Sequence, residues 1–147
     1  EERVERRNAV ARRYRELLAT IPGIDFPTVP EGDRSTFKDF TVLVDADRFG
    51  LDAAKLAEAL AAEGIETRRY YSPAVHEQQA YRSSLEARRA LPVTRAVTPR
   101  VLTLPLWPEL TDEQLVLVTE AIARIRHGFN GRGMHVENGH RNAPVRP

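Results

Sequence analysis

Residues 64–81 read GIETRRYYSPAVHEQQAY, and three of the chain's four tyrosines fall in this stretch beside a histidine and two glutamines. Phenols and an imidazole can donate and accept hydrogen bonds, offer stacking faces and, for the imidazole, titrate near neutral pH. His76 follows the turn expected at Pro73, where side chains project from a rigid edge into space a ligand could occupy. A surface histidine bonded to a neighbouring loop fits the same spacing. Tyr70 and Tyr71 in a strand would point to opposite sides, so at most one belongs to a core. Ser72 and His76 could be drawn into a Ser–His–acid set, but no nucleophile-elbow pattern surrounds the serine.

Other chemistry is sparse. Among 22 basic residues only Lys38 and Lys55 are lysine. Lys55 falls in the first turn of an expected helix and reads as solvated. Lys38 stands at a strand entry, either as an edge charge or as a contact to an anionic ligand. His127, His135 and His140 lie in or beside a glycine-containing tail that offers no scaffold for a metal. The Gly-Arg-Gly at 131–133 is too isolated from any strand–helix junction to hold phosphate. These residues give neither a metal site nor a catalytic residue. The absence of cysteine removes disulfides and thiol chemistry and is compatible with a reducing compartment.

The elements that must position these residues are legible in the apolar spacing. Val4, Val10, Ala11, Tyr14, Leu17 and Leu18 predict an amphipathic helix over residues 2–20, ended by Pro22-Gly23. Residues 25–35 read as a loop. Phe40, Val42 and Val44 alternate in TFKDFTVLV and predict a strand covered on much of both faces. Asp52 should cap a helix over residues 53–63, with Leu51 and Leu56 as a hydrophobic staple and Gly64 at its left-handed end. Residues 65–71 read as a second strand stopped by Pro73, followed by a helical turn at residues 76–83. Short helical pieces are expected over residues 85–97, and RVLTLPL is a third strand. Thr111 and Gln114 form a capping box before a helix over residues 112–126 that buries Leu115, Val118, Ile122 and Ile125 and closes at Gly128.

A length of 147 residues fits one domain, and a formal net charge of +1 supplies no field to attract nucleic acid. No apolar run approaches the roughly 20 residues of a membrane span. The expected organisation is one domain over residues 1–127 and a disordered tail over residues 128–147. The opening EERVERRNAV is expected to be the start of a piece rather than of a whole protein.

STFKDFTVLV, LAEALAAEGIETRRYYSPAVHEQQAY, LPVT and VLTLPLWPELTDEQLVLVTEAI, in that order, resemble the C-terminal part of the DegT/DnrJ/EryC1/StrS family of sugar aminotransferases. The Tyr-x-Pro-x-x-His-x-Gln-x-x-Tyr piece is the most specific. The resemblance implies an α/β (α+β) small domain of a fold-type I transferase, with about three strands packed by helices. It also implies pyridoxal 5'-phosphate, held mainly by an N-terminal domain, and amino transfer from glutamate or glutamine to a nucleotide-linked keto sugar. A homodimer is implied too, while a cytoplasmic location without nucleic-acid or membrane partners is the expectation from the composition and charge above. Carried over by position, Tyr70, Tyr71 and His76 bind substrate, and Tyr81 matches a further aromatic; many members carry His where this chain has Tyr70. Neither Lys38 nor Lys55 sits in sequence like that around the family's cofactor lysine, so the chain alone is expected to be inactive. The alternative is a non-catalytic α/β binding or assembly module of the same fold.

Overall fold

In the computed structural model, which describes residues 1–81 and 91–133, the first amphipathic segment forms helix α1 over Glu2–Leu18 and buries Val10, Ala11, Tyr14 and Leu18. Tyr14 is fully buried. Its ring stacks on Phe40 with centroids 4.9 Å and planes 12° apart. Its hydroxyl donates to the Pro105 carbonyl at 2.9 Å. Burial pushes the phenol above the ordinary tyrosine range, which keeps it a donor at any physiological pH.

Three antiparallel strands, β1 (Ile24–Asp25), β2 (Phe40–Val44) and β3 (Val101–Leu104), lie in the order β1–β2–β3. Ile24 faces Val44, and Phe40 faces Leu104. Phe40, Val42 and Val44 are buried while Thr41 and Leu43 are half-buried, so β2 is covered chiefly on one face rather than on both. On the other, the Thr41 and Thr103 hydroxyls bond each other at 2.9 Å. Helices α3 (Ala53–Ala62) and α5 (Asp112–Gly133) complete the core; α5 packs against α1 and α3, and α3 against β3. Arg13 of α1 holds the Asp112 carboxylate at 2.6 and 3.2 Å, which keeps that carboxyl below its usual range and joins α1 to the first turn of α5.

The helix ends follow local chemistry. Asp52 accepts from the Lys55 amide at 2.8 Å, and Leu51 and Leu56 are both buried. Gly64 adopts φ +78°, and the Ile65 amide returns to the Leu60 carbonyl at 2.9 Å. Gln114 and Thr111 exchange both capping-box bonds, at 3.0 and 3.3 Å. Leu115, Val118 and Ile122 are buried, with Ile125 packed against them. Helix α4 (Pro92–Val97) and a 3-10 turn at Thr98–Arg100 realise the short pieces expected before β3, while residues 82–90 lie outside the described residues.

Three expectations change. The stretch 65–71 is not a strand but meets β3 at a single bridge, Arg68 with Thr103, bonded at 3.0 and 2.7 Å. Two residues along, the ladder would set Glu66 against Pro105, which has no N–H to give and whose carbonyl takes the Tyr14 hydroxyl. The third strand is instead Ile24–Asp25, at the start of the segment read as a loop. Helix α5 passes Gly128 and runs to Gly133, because one exposed glycine costs a helix only about 1 kcal/mol. Residues 134–147 lie outside the described residues.

Gly23 makes the turn from α1 into β1 possible. Its φ is +86°, its carbonyl accepts from the Asp45 amide at 2.8 Å, and an added Cβ would lie 2.5 Å from the Phe49 nitrogen. Phe49 belongs to helix α2 (Ala46–Phe49), capped by Asp45, and is fully buried. Gly23→Ala therefore meets both a disfavoured dihedral and a backbone clash, and should cost about 2–4 kcal/mol. A denaturant midpoint equal to the wild type would refute this.

Candidate functional site

Beyond the Arg68 bridge the chain folds into a tight irregular turn. The Ser72 amide donates to the Arg69 carbonyl at 3.1 Å, and the Glu77 amide to Ala74 at 2.8 Å, closing a 3-10 turn over Val75–Glu77. Ala74 is buried beneath it. The turn leans on the segment before β3: Arg69 donates to the Pro99 carbonyl at 3.3 Å, and the Glu77 carboxylate stands 3.9 Å from Arg95 of α4. The helical turn expected at 76–83 is thus shorter and begins one residue earlier.

Tyr70 and Tyr71 are exposed, at 43% and 60%, with ring centroids 5.3 Å apart and planes tilted by 50°. They do not straddle a strand; they form one outward aromatic pair. The His76 side chain is only 12% exposed, and its Nε2 lies 3.8 Å from the Glu77 carboxylate, beyond hydrogen-bond length. That buried nitrogen has no hydrogen-bond partner among the described residues. So the tyrosines come together, His76 joins Glu77, and no hydrogen bond links the histidine to either phenol. Tyr81 is half exposed, its amide bonded to the Gln78 carbonyl at 2.9 Å. Such an arrangement can bind hydroxyl-rich ligands and stack against rings; it holds no proton relay to Ser72.

Sequence reasoning missed a groove of about 470 Å³ beside this turn. One wall is the 64–68 stretch, and the other is the connector from β3 to α5, with Trp107 and Leu110, together with Gln114 and Leu117 of α5. The interrupted pairing at Pro105 leaves the two walls apart. Trp107, the chain's single tryptophan, is 42% exposed. The available signal was Trp107 held between Pro105 and Pro108. None of Tyr70, Tyr71 and His76 lines this groove.

The described residues do not by themselves fit pyridoxal phosphate. Lys38 and Lys55 are both exposed, and neither lines the groove, so no amine is held in an enclosed site to bond the cofactor aldehyde. Among the described residues no group of three His, Cys, Asp or Glu could hold a metal ion, and no helix is long and apolar enough to cross a membrane.

Residues 1–123 match the model of the DegT/DnrJ/EryC1/StrS aminotransferase family. The chain is 35% identical over 115 residues to a UDP-N-acetyl-3-dehydro-alpha-D-glucosamine 3-aminotransferase of Acidithiobacillus ferrooxidans, covering 78% of this chain and 29% of that protein. Its fold superposes on DesI, solved in the presence of its TDP-sugar product, with a TM-score of 0.79 at 28% identity, over 91% of this chain and 34% of that one. A DegT DnrJ EryC1 StrS aminotransferase from Brucella abortus gives a TM-score of 0.73 at 29% identity, over 86% of this chain and 32% of that one. The α/β architecture is that of these aminotransferases, and the chain belongs to the DegT/DnrJ/EryC1/StrS family. It spans about a third of the length of the relatives it matches.

An open groove makes Trp107 a reporter. Its emission should be red-shifted and readily quenched by acrylamide, and Leu117→Arg should alter it without changing the helical circular dichroism. Blue-shifted, unquenched emission would mean that the groove is covered in solution.

Proposed function

We propose that this chain is the C-terminal small domain of a pyridoxal-phosphate-dependent aminotransferase that moves an amino group from glutamate or glutamine to a nucleotide-linked keto sugar. The observation that carries the reading is the family match over residues 1–123. It is supported by a relative acting on a UDP-linked sugar and a similar fold solved with a TDP-sugar. Because both lysines here are exposed, the cofactor and its lysine belong to the rest of the protein, and the domain's share is substrate binding. The domain is the one expected over residues 1–127, with α5 carrying it on to Gly133, and the whole protein works as a cytoplasmic homodimer.

In this reading the paired phenols of Tyr70 and Tyr71 project toward the sugar and offer hydroxyl partners and a stacking face. His76 is the third substrate-binding residue of this reading, held still by its burial beside Glu77, with an enclosed Nε2 that has no hydrogen-bond partner among the described residues. Orientation, not proton transfer, is their work.

In the full-length protein, Tyr71→Phe and His76→Ala should lower kcat/KM for the sugar by about tenfold or more each, with cofactor absorbance unchanged. Unaltered kinetics in both would remove these residues from the site. The 147-residue chain, mixed with pyridoxal phosphate and reduced with borohydride, should show no saturable labelling of either lysine and no amino transfer. Specific labelling of Lys38 with turnover would make the chain an enzyme in its own right.

A further inference from the structure

One carboxylate oxygen stands between two nitrogens on different elements. Oε1 of Glu77 lies 3.8 Å from Nε2 of His76, its neighbour in the 3-10 turn, and 3.9 Å from Nε of Arg95 on α4. We propose that Glu77 is a positioning residue, which fixes the tautomer and angle of the His76 ring against the sugar while Arg95 anchors its carboxylate to α4. The proposal rests on the reading of His76 as a substrate-binding residue.

Imidazole chemistry sets the need. In the neutral ring one nitrogen donates and the other accepts, and the bond made by one decides what the other can do. Nε2 of His76 is enclosed and has no hydrogen-bond partner among the described residues, a state in which a polar atom is rarely left. The Glu77 oxygen is an acceptor stationed beside it. Their separation exceeds a hydrogen bond by about 0.9 Å. Contacts of this kind are often long before substrate arrives and tighten in the complex. Once the Nε2 hydrogen is given to the carboxylate, Nδ1 is left as an acceptor, and a sugar hydroxyl is the donor that complements it. The ring offers only a narrow edge for this, since the side chain is 12% exposed.

The surroundings hold the carboxylate to that task. The Glu77 amide donates to the carbonyl of buried Ala74 at 2.8 Å, and the Arg95 amide to the Leu91 carbonyl at 3.0 Å, so both side chains spring from bonded turns. Arg69 joins the same two segments through the Pro99 carbonyl at 3.3 Å. The Arg95 side chain is 59% exposed, and an ion pair so placed contributes little stability. Its effect is on where the carboxylate points.

In the full-length protein, Glu77→Ala should raise KM for the sugar about fivefold or more, with KM for the amino donor, cofactor absorbance and melting temperature unchanged. Glu77→Gln keeps an acceptor oxygen and should lose less; Arg95→Lys should likewise lose less than Arg95→Ala. In a His76→Ala background Glu77→Ala should add nothing, because the carboxylate acts through the ring. Glu63→Gln, which breaks the 2.7 Å pair with Arg124 of α5, should keep wild-type kinetics. If Glu77→Ala fails to fold, Glu77→Gln and Arg95→Ala carry the same test. A wild-type sugar KM in the Glu77 variants, a loss that adds in full to that of His76→Ala, or an equal loss in Glu63→Gln would overturn the proposal, and a persisting defect in His76→Ala would leave the substrate reading intact. Wild-type kinetics in His76→Ala would remove both.

Discussion

Tyr14 stands where every layer of this domain meets. Its ring lies on Phe40, the first residue of the central strand, and its hydroxyl closes on the carbonyl of Pro105, where β3 hands over to the connector leading into α5. A buried phenol must find an acceptor, and here the acceptor is a carbonyl that the sheet cannot use. One side chain of α1 thereby sets the height of the helix over the sheet and the direction in which the chain leaves β3. The Arg13 pairing to Asp112 works beside it, at the surface, holding the start of α5 against the same helix.

Pro105 turns that contact into a shape. Without an N–H it ends the pairing of the 65–71 stretch with β3 after the single Arg68 bridge. The near end of the stretch therefore stands apart from the connector and leaves the groove that displays Trp107. At the far end, where Tyr70 would face Val101, the chain also leaves the sheet, so that Tyr70 and Tyr71 lie in an exposed turn instead of alternating across a strand.

The domain divides its polar surface between two kinds of work. Around the 70–81 turn the groups are neutral and aromatic, with one imidazole shielded by its surroundings and one carboxylate between it and Arg95. Around the loop before β2 they are cationic and already oriented by carbonyls and by an aromatic ring. The two environments offer different partners, hydroxyl groups and stacking faces in the one and guanidinium donors in the other. They lie on different elements, and neither uses a lysine.

Features that depend on neighbours within a turn or two were determined by the sequence alone. The caps at Asp52 and at Thr111–Gln114, the glycine end at Gly64, the α1 and α5 faces and the β2 alternation all answer to hydrogen bonds or periodicities a few residues long. The family was legible as well, because the motif's order and spacing survive in one dimension. Pairing partners were not, since a strand exists only by virtue of the chain beside it: Ile24–Asp25 became one against Val44 and Leu43, and residues 65–71 met β3 at Arg68 alone. The same holds for the sites. Sequence marked Tyr70, Tyr71 and His76, but only folding could pair the two rings, bury the imidazole and bring Arg34 to the face of α1 that carries Arg12 and Arg15. Contacts made across many residues of chain are decided by packing and by the entropy of closing the loops between them, and neither is written in local spacing.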